Sequence, residues 1–166
     1  MSRFSFSRPV LELSFVACVI ADASYVIPIS KVREITQPMR LTRVPEAPQA
    51  ILGAVDHRGE VVPIVDLGFQ VTGRITDDPR RKWILLRNAD RTLGIVVRQV
   101  FEVFRTPEVE VRMAPEMGGS MGYSTREVVR YDGAMAFVLD VDSVFQLALR
   151  GPPVSALSLD APRGAS

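Results

Sequence analysis

Apolar residues in this chain come in runs of four to eight, each cut by a polar corner, a rhythm that predicts strands. The most telling stretch is Ile51 to Leu67. Two apolar runs, Ile51 to Val55 and Val61 to Leu67, flank the polar corner Asp56-His57-Arg58-Gly59-Glu60. Gly59 is the residue best able to take positive φ at such a corner, so the stretch predicts a β-hairpin of two buried strands with an arginine at its tip. Pro63 cannot donate to a strand ladder, which places it at a sheet edge or a barrel corner.

The same rhythm runs through the rest of the chain. Leu13 to Ile20 predicts a strand, Asp22-Ala23-Ser24 a turn, and alternating Tyr25, Ile27 and Ile29 a second strand that continues through Val32 to Ile35 after a kink at Ser30-Lys31. Pro38, Pro45 and Pro48 make Thr36 to Pro48 a crossing loop, with a helical turn over Ala47 to Ile51. Trp83 to Leu86, Leu93 to Val97 and Val100 to Phe104 predict further strands. The pair Val128 to Tyr131 and Ala134 to Leu139 is joined by the strong two-residue turn signal Asp132-Gly133. Asp140 suits the N-cap of a short helix through Leu149, with Val141, Val144, Phe145 and Leu149 on one side. Glu110 to Tyr123 reads as irregular. Residues 1–10 predict a flexible N-terminus and 150–166 a disordered tail rich in Pro, Ser and Gly. About ten short strands with one terminal helix argue for an all-β fold of small barrels, and the polar linker Gly73 to Arg81 predicts the boundary between two of them.

Composition narrows the partners. A formal net charge of +1 supplies no bulk attraction for a nucleic-acid duplex or an anionic membrane. The single cysteine, Cys18, excludes an intramolecular disulfide and fits a reducing compartment. Arg3 and Arg8 ahead of an apolar run ending in Ala21-Asp22-Ala23 mimic a secretion signal, but Pro9 and Glu12 break the run. The expectation is a cytoplasmic protein.

Candidate chemistry is sparse. His57 is the only histidine; neighbouring Asp56 points to the other face of a strand, and one His with one Cys makes no usual zinc set, so a surface place at the hairpin tip is expected. Cys18, among Phe15, Val16, Val19 and Ile20, reads as core filler. Gly118-Gly119-Ser120-Met121-Gly122 lacks the Gly-Lys-Ser/Thr ending of a phosphate loop. Asp140 and Asp142 read as a cap and a first-turn acid. No catalytic residue, metal or cofactor is expected. Small β-barrels also bind single-stranded nucleic acid, the competing expectation, but 7% aromatic residues and near-neutral charge offer few stacking rings and no basic groove.

Three segments together, Tyr25 to Ile29, Val32-Arg33-Glu34-Ile35 and Gly53 to Leu67 with its Arg58-Gly59…Pro63-Ile64-Val65-Asp66-Leu67 block, resemble the CheW family of chemotaxis coupling proteins. Leu93 to Val97 with Val100 and Val103, and Leu139-Asp140-Val141-Asp142, extend the resemblance over about residues 11–149. It implies two packed five-stranded SH3-like barrels and a non-enzymatic adaptor. The implied partners are the cytoplasmic tip of a methyl-accepting chemoreceptor and the regulatory domain of a CheA-type histidine kinase, with the protein held at the inner face of the membrane through receptor arrays. Two positions depart from the family pattern: His57 stands where leucine is usual, and Arg98 where aspartate is frequent. They suggest a divergent chemosensory system, controlling gliding, pili or gene expression instead of flagella.

An adaptor of this kind works through surfaces. Val32, Ile35, Val61, Val97, Val100 and Val103 are the candidates to line or back an apolar groove between the barrels. Arg58, paired with Glu34 as the resemblance implies and flanked by His57 and Gly59, is the candidate contact at the tip. Gly53, Gly59 and Gly94 are expected to serve the backbone, and Asp66 to accept hydrogen bonds from nearby main-chain N–H groups.

Overall fold

A computed structural model describes residues 11–114 and 124–149. The two terminal segments and the glycine-rich stretch at 118–122 lie outside these residues. Among the described residues, eleven strands form two sheets. The first is six-stranded, in the order β8 (Gln99–Pro107), β1 (Glu12–Ile20), β2 (Ala23–Pro28), β11 (Ala134–Leu139), β10 (Ser124–Tyr131) and β9 (Arg112–Met113). The second is five-stranded, in the order β3 (Val32–Thr36), β6 (Lys82–Asn88), β7 (Arg91–Val97), β5 (Glu60–Val65) and β4 (Ile51–His57).

The sheets do not follow the halves of the chain. Both ends build the first sheet and the middle builds the second, so the chain changes sheet at the 3-10 turn Ile29–Lys31 and again at Arg98. The Gly73 to Arg81 linker, expected between the two units, instead connects members of one sheet. The physical cause is pairing: β2 lies beside β11 and β1 beside β8, contacts between residues far apart in sequence that a change in local composition does not reveal.

Three apolar clusters explain why so many strands read as unbroken apolar runs. Phe15, Ala17 and Val26 pack with Val129, Ala136 and Val138 on one face of the first sheet. Val55, Val62, Ile64, Trp83, Leu85 and Val96 fill the corresponding face of the second. The largest cluster lies between the sheets, where Val16, Cys18, Ile20, Tyr25 and Ile27 meet Ile84, Leu86, Leu93, Ile95 and Val97. Strands β1, β2, β6 and β7 are thus apolar on both faces, because each lies between a shared core and its own sheet's core. Helix α2 (Val141–Leu149) seals the shared core with Val141, Val144, Phe145 and Ala148. Its cap is as expected: Asp140 accepts from the Ser143 N–H at 3.2 Å and from the Ser143 hydroxyl at 2.7 Å.

Strand β5 ends at Val65, two residues sooner than the apolar pattern suggests, because Asp66 caps a short helix, α1 (Leu67–Thr72), closed by Gly73 in the left-handed region. Asp66 is fully buried and accepts from the Phe69 N–H at 3.2 Å, the Thr76 N–H at 2.6 Å and the Thr76 hydroxyl at 2.8 Å. Pro63 sits in an interior strand, but at its position β5 pairs only with β4; the parallel pairing to β7 begins at Ile64. The proline therefore needs no second ladder bond. Gly53 lies against the Thr42 carbonyl, which an added Cβ would approach to 2.6 Å. This close approach admits the Thr42–Ala54 bridge that ties the crossing loop to β4.

Arg98 occupies the second sheet-to-sheet crossing. Its guanidinium bonds Asp22 at 2.9 Å, in the β1–β2 turn, and Asp78 at 3.1 Å, in the linker, so it joins one sheet to the other. Asp78 also accepts from the Arg80 side chain and backbone, and these bonds, with Arg98, hold its carboxyl well below the usual range. Burial pushes the Cys18 thiol up to about 12, in keeping with core filler.

Candidate functional site

The hairpin of β4 and β5 turns over two residues, Arg58 and Gly59, with His57 paired to Glu60. Both turn residues have positive φ, 54° and 81°, the combination of the type I′ turn that suits the twist of a hairpin. The Asp56 carboxylate accepts the Gly59 N–H at 2.9 Å and braces the turn.

Opposite the tip stands β3, and here the strand is irregular. Val32 pairs with Leu86 and Glu34 with Leu85, which leaves Arg33 as the extra residue of a β-bulge. A bulge re-aims side chains that would otherwise alternate. As a result two consecutive residues, Arg33 and Glu34, both reach the hairpin. Arg33 donates to Glu60 at 2.5 Å and to the Thr92 hydroxyl at 2.6 Å. Glu34 meets the His57 ring Nε2 at 2.8 Å with one oxygen and Arg58 at 3.4 Å with the other. Arg87 donates to the Val32 carbonyl at 3.2 Å, fixing the strand beside the bulge.

These contacts do more than decorate a tip. In sheet order β3 and β4 are the two edges of the five-stranded sheet, yet Glu34 of one edge touches His57 of the other. The sheet has curled far enough for a side chain on one edge to reach the other, at the hairpin end. His57 is accordingly buried, at 8% exposure, and not the surface residue expected from sequence. A histidine at the end of an edge strand is covered when the opposite edge folds onto it. Glu60 is held below the usual carboxylate range, chiefly by its bond from Arg33 and then by Thr92.

What faces solvent is Arg58, whose side chain is 70% exposed, together with Val61 at 74%. Val61, but not Arg58, lines an open cleft of about 360 Å³, with Glu60, Pro63, Asp90, Arg91, Thr92, Leu93 and Phe145. Of the six expected groove residues, Val61 alone lines it. Val32 and Val97 lie in the shared core and Val100 packs against it. Ile35 and Val103 are exposed, on β3 and β8, strands of different sheets. Gly59 serves the turn. Sequence reading did not single out Arg33, Glu60 and Thr92; Arg33 stood inside the segment that carried the family resemblance, but only the bulge turns it toward Glu60. Among the described residues no group of three or more His, Cys, Asp or Glu is placed to hold a metal ion, and no helix is long and apolar enough to cross a membrane.

Two β-sheets on a shared core define an all-β protein of the SH3-like class, with an exposed arginine and valine on a braced hairpin. Comparison with known proteins supplies the family. A model of the CheW-like domain matches residues 14–149, and the chain belongs to that family. It is 25% identical over 135 residues to the chemotaxis protein CheW of Helicobacter pylori, covering 81% of this chain and 82% of that protein. It is 30% identical over 114 residues to protein FrzA of Myxococcus xanthus, covering 68% of this chain and 69% of that one. The crystal structure of the scaffolding protein TtCheW from Thermoanaerobacter tengcongensis superposes with a TM-score of 0.69 at 21% identity, over 78% of this chain and 89% of that one, and so shares the fold. The chain is a chemotaxis coupling adaptor by family.

Proposed function

We propose that this protein couples the cytoplasmic tip of a methyl-accepting chemoreceptor to the regulatory domain of a CheA-type histidine kinase, without catalysis of its own. The family match across residues 14–149 is the observation that carries this reading. The receptor tip, a helical hairpin, seats against the open cleft beside Val61 and the hairpin, an apolar floor with a charged rim suited to an amphipathic helix. The kinase domain, itself CheW-like, meets exposed sheet edges and loops. A cytoplasmic place at the inner face of the membrane follows from that partnership. His57 and Arg98 each make specific contacts here, to Glu34 and to Asp22 and Asp78, which supports a divergent chemosensory system.

Calorimetry with the kinase regulatory domain and a receptor-tip fragment from the same genome tests the proposal. Micromolar or tighter binding to both is the expected result. Binding to neither overturns it.

A further inference from the structure

We propose that His57 is a specificity-determining residue: by holding Glu34 it frees Arg58 to take a carboxylate on the receptor tip. The inference deepens the coupling function above and rests on it for the identity of the partner.

Three carboxylates surround the tip, and each has a closer partner than Arg58. Glu34 gives one oxygen to His57 at 2.8 Å. Asp56 accepts the Gly59 N–H at 2.9 Å, and Glu60 is bonded by Arg33 at 2.5 Å. Arg58 keeps a single contact at 3.4 Å, from one Nη to the second oxygen of Glu34. A forked arginine–carboxylate pair makes two parallel bonds of about 2.7–2.9 Å, and this is not one. With its side chain 70% exposed, the guanidinium keeps most of its five donors for another acceptor.

His57 is what makes the difference. An apolar side chain at this position would not compete for the acid, and both oxygens of Glu34 would be open to Arg58. Here the imidazole is buried, at 10% side-chain exposure, and its short contact fixes the orientation of Glu34. Arg58 then projects from the hairpin tip as an exposed cation. The complementary helix face carries an aspartate or glutamate.

The test has two arms on the full chain. In the free protein, NMR of the Arg58 guanidinium should show fast rotation, slowed in His57→Leu as Arg58 forks onto Glu34. In calorimetry against the receptor-tip fragment, His57→Leu should weaken binding about fivefold, the scale of one ordinary hydrogen bond. His57→Gln, which restores a donor toward Glu34, should recover most of it. In an Arg58→Ala background His57→Leu should change nothing, and binding to the kinase domain should be unaffected throughout. A guanidinium already slow in the unmodified protein overturns the inference, as does a fivefold loss that persists without Arg58. If the unmodified protein binds no receptor tip, the coupling function fails, while the rotation arm still decides whether His57 frees Arg58.

Discussion

Two hairpins of this protein turn in the same way and carry different residues. At the β4–β5 tip Arg58 and Gly59 have φ of 54° and 81°; at the β10–β11 tip Asp132 and Gly133 have 50° and 75°. Asp-Gly is what such a turn prefers, because aspartate tolerates the left-handed region. Arginine has no such advantage. Positive φ alone does not mark a functional residue, since Ala21 and Ala89 adopt it in two other turns. The difference lies in the side chain. Asp132 satisfies the turn's own preference, whereas Arg58 faces an acid on the opposite edge of a curled sheet and otherwise points to solvent. One residue suits its turn, and the other suits something outside it.

The sharpest way to break that comparison is to give both tips a turn-favoured residue. Arg58→Asn should stabilise the fold slightly, by about 0.5 kcal/mol, because asparagine accepts positive φ more readily. It should still weaken receptor-tip binding about thirtyfold, the loss typical of a hot-spot arginine. Melting and calorimetry on one preparation check both. Next in size, Gly59→Ala and Gly133→Ala should cost the same, about 1–2 kcal/mol each, since at neither position does an added Cβ meet an atom within 4 Å and the penalty is purely torsional. Denaturant melts that separate the two would show the turns to be less alike than their φ values.

Smaller effects come from the charges. The carboxyls of Glu60 and Asp78 have folded-state values below their unfolded ones, so their stabilising contribution is present above about pH 4 and is lost as pH falls through the lowered values. Stability measured against pH should fall on the acid side of that point, and Glu60→Gln should flatten part of the fall. Arg98→Ala should cost under about 1 kcal/mol, because its side chain is 43% exposed and surface ion pairs are weak, and should leave receptor-tip binding intact. A thermal melt at low and high salt reads that cost.

The sequence contained the local signals in full. Asp132-Gly133, the Asp140 cap, the role of Asp66 and the positive φ of Gly59 are contests settled within a few residues, and each appears as read. The short helix α1 also had its signals, Asp66 before it and Gly73 after it, but its six residues were masked by the apolar run they continue. What could not be read was long-range. The burial of His57 follows from Glu34, 23 residues away on the far edge of the sheet, and the Arg33–Glu60 pair depends on a bulge that composition does not announce. The choice of Gly73 to Arg81 as a boundary failed for the same reason, because strand order decides which segments share a sheet.

The most direct test of the central claim, that Arg58 reads the partner and does not hold the fold, is to titrate Arg58→Ala against the receptor-tip fragment beside its own thermal melt. The account predicts a loss of binding of about tenfold or more with the melting point within about 2 °C of the unmodified protein. A melting point that falls in step with the binding would contradict it, and would return Arg58 to the contact between the sheet edges as a structural residue.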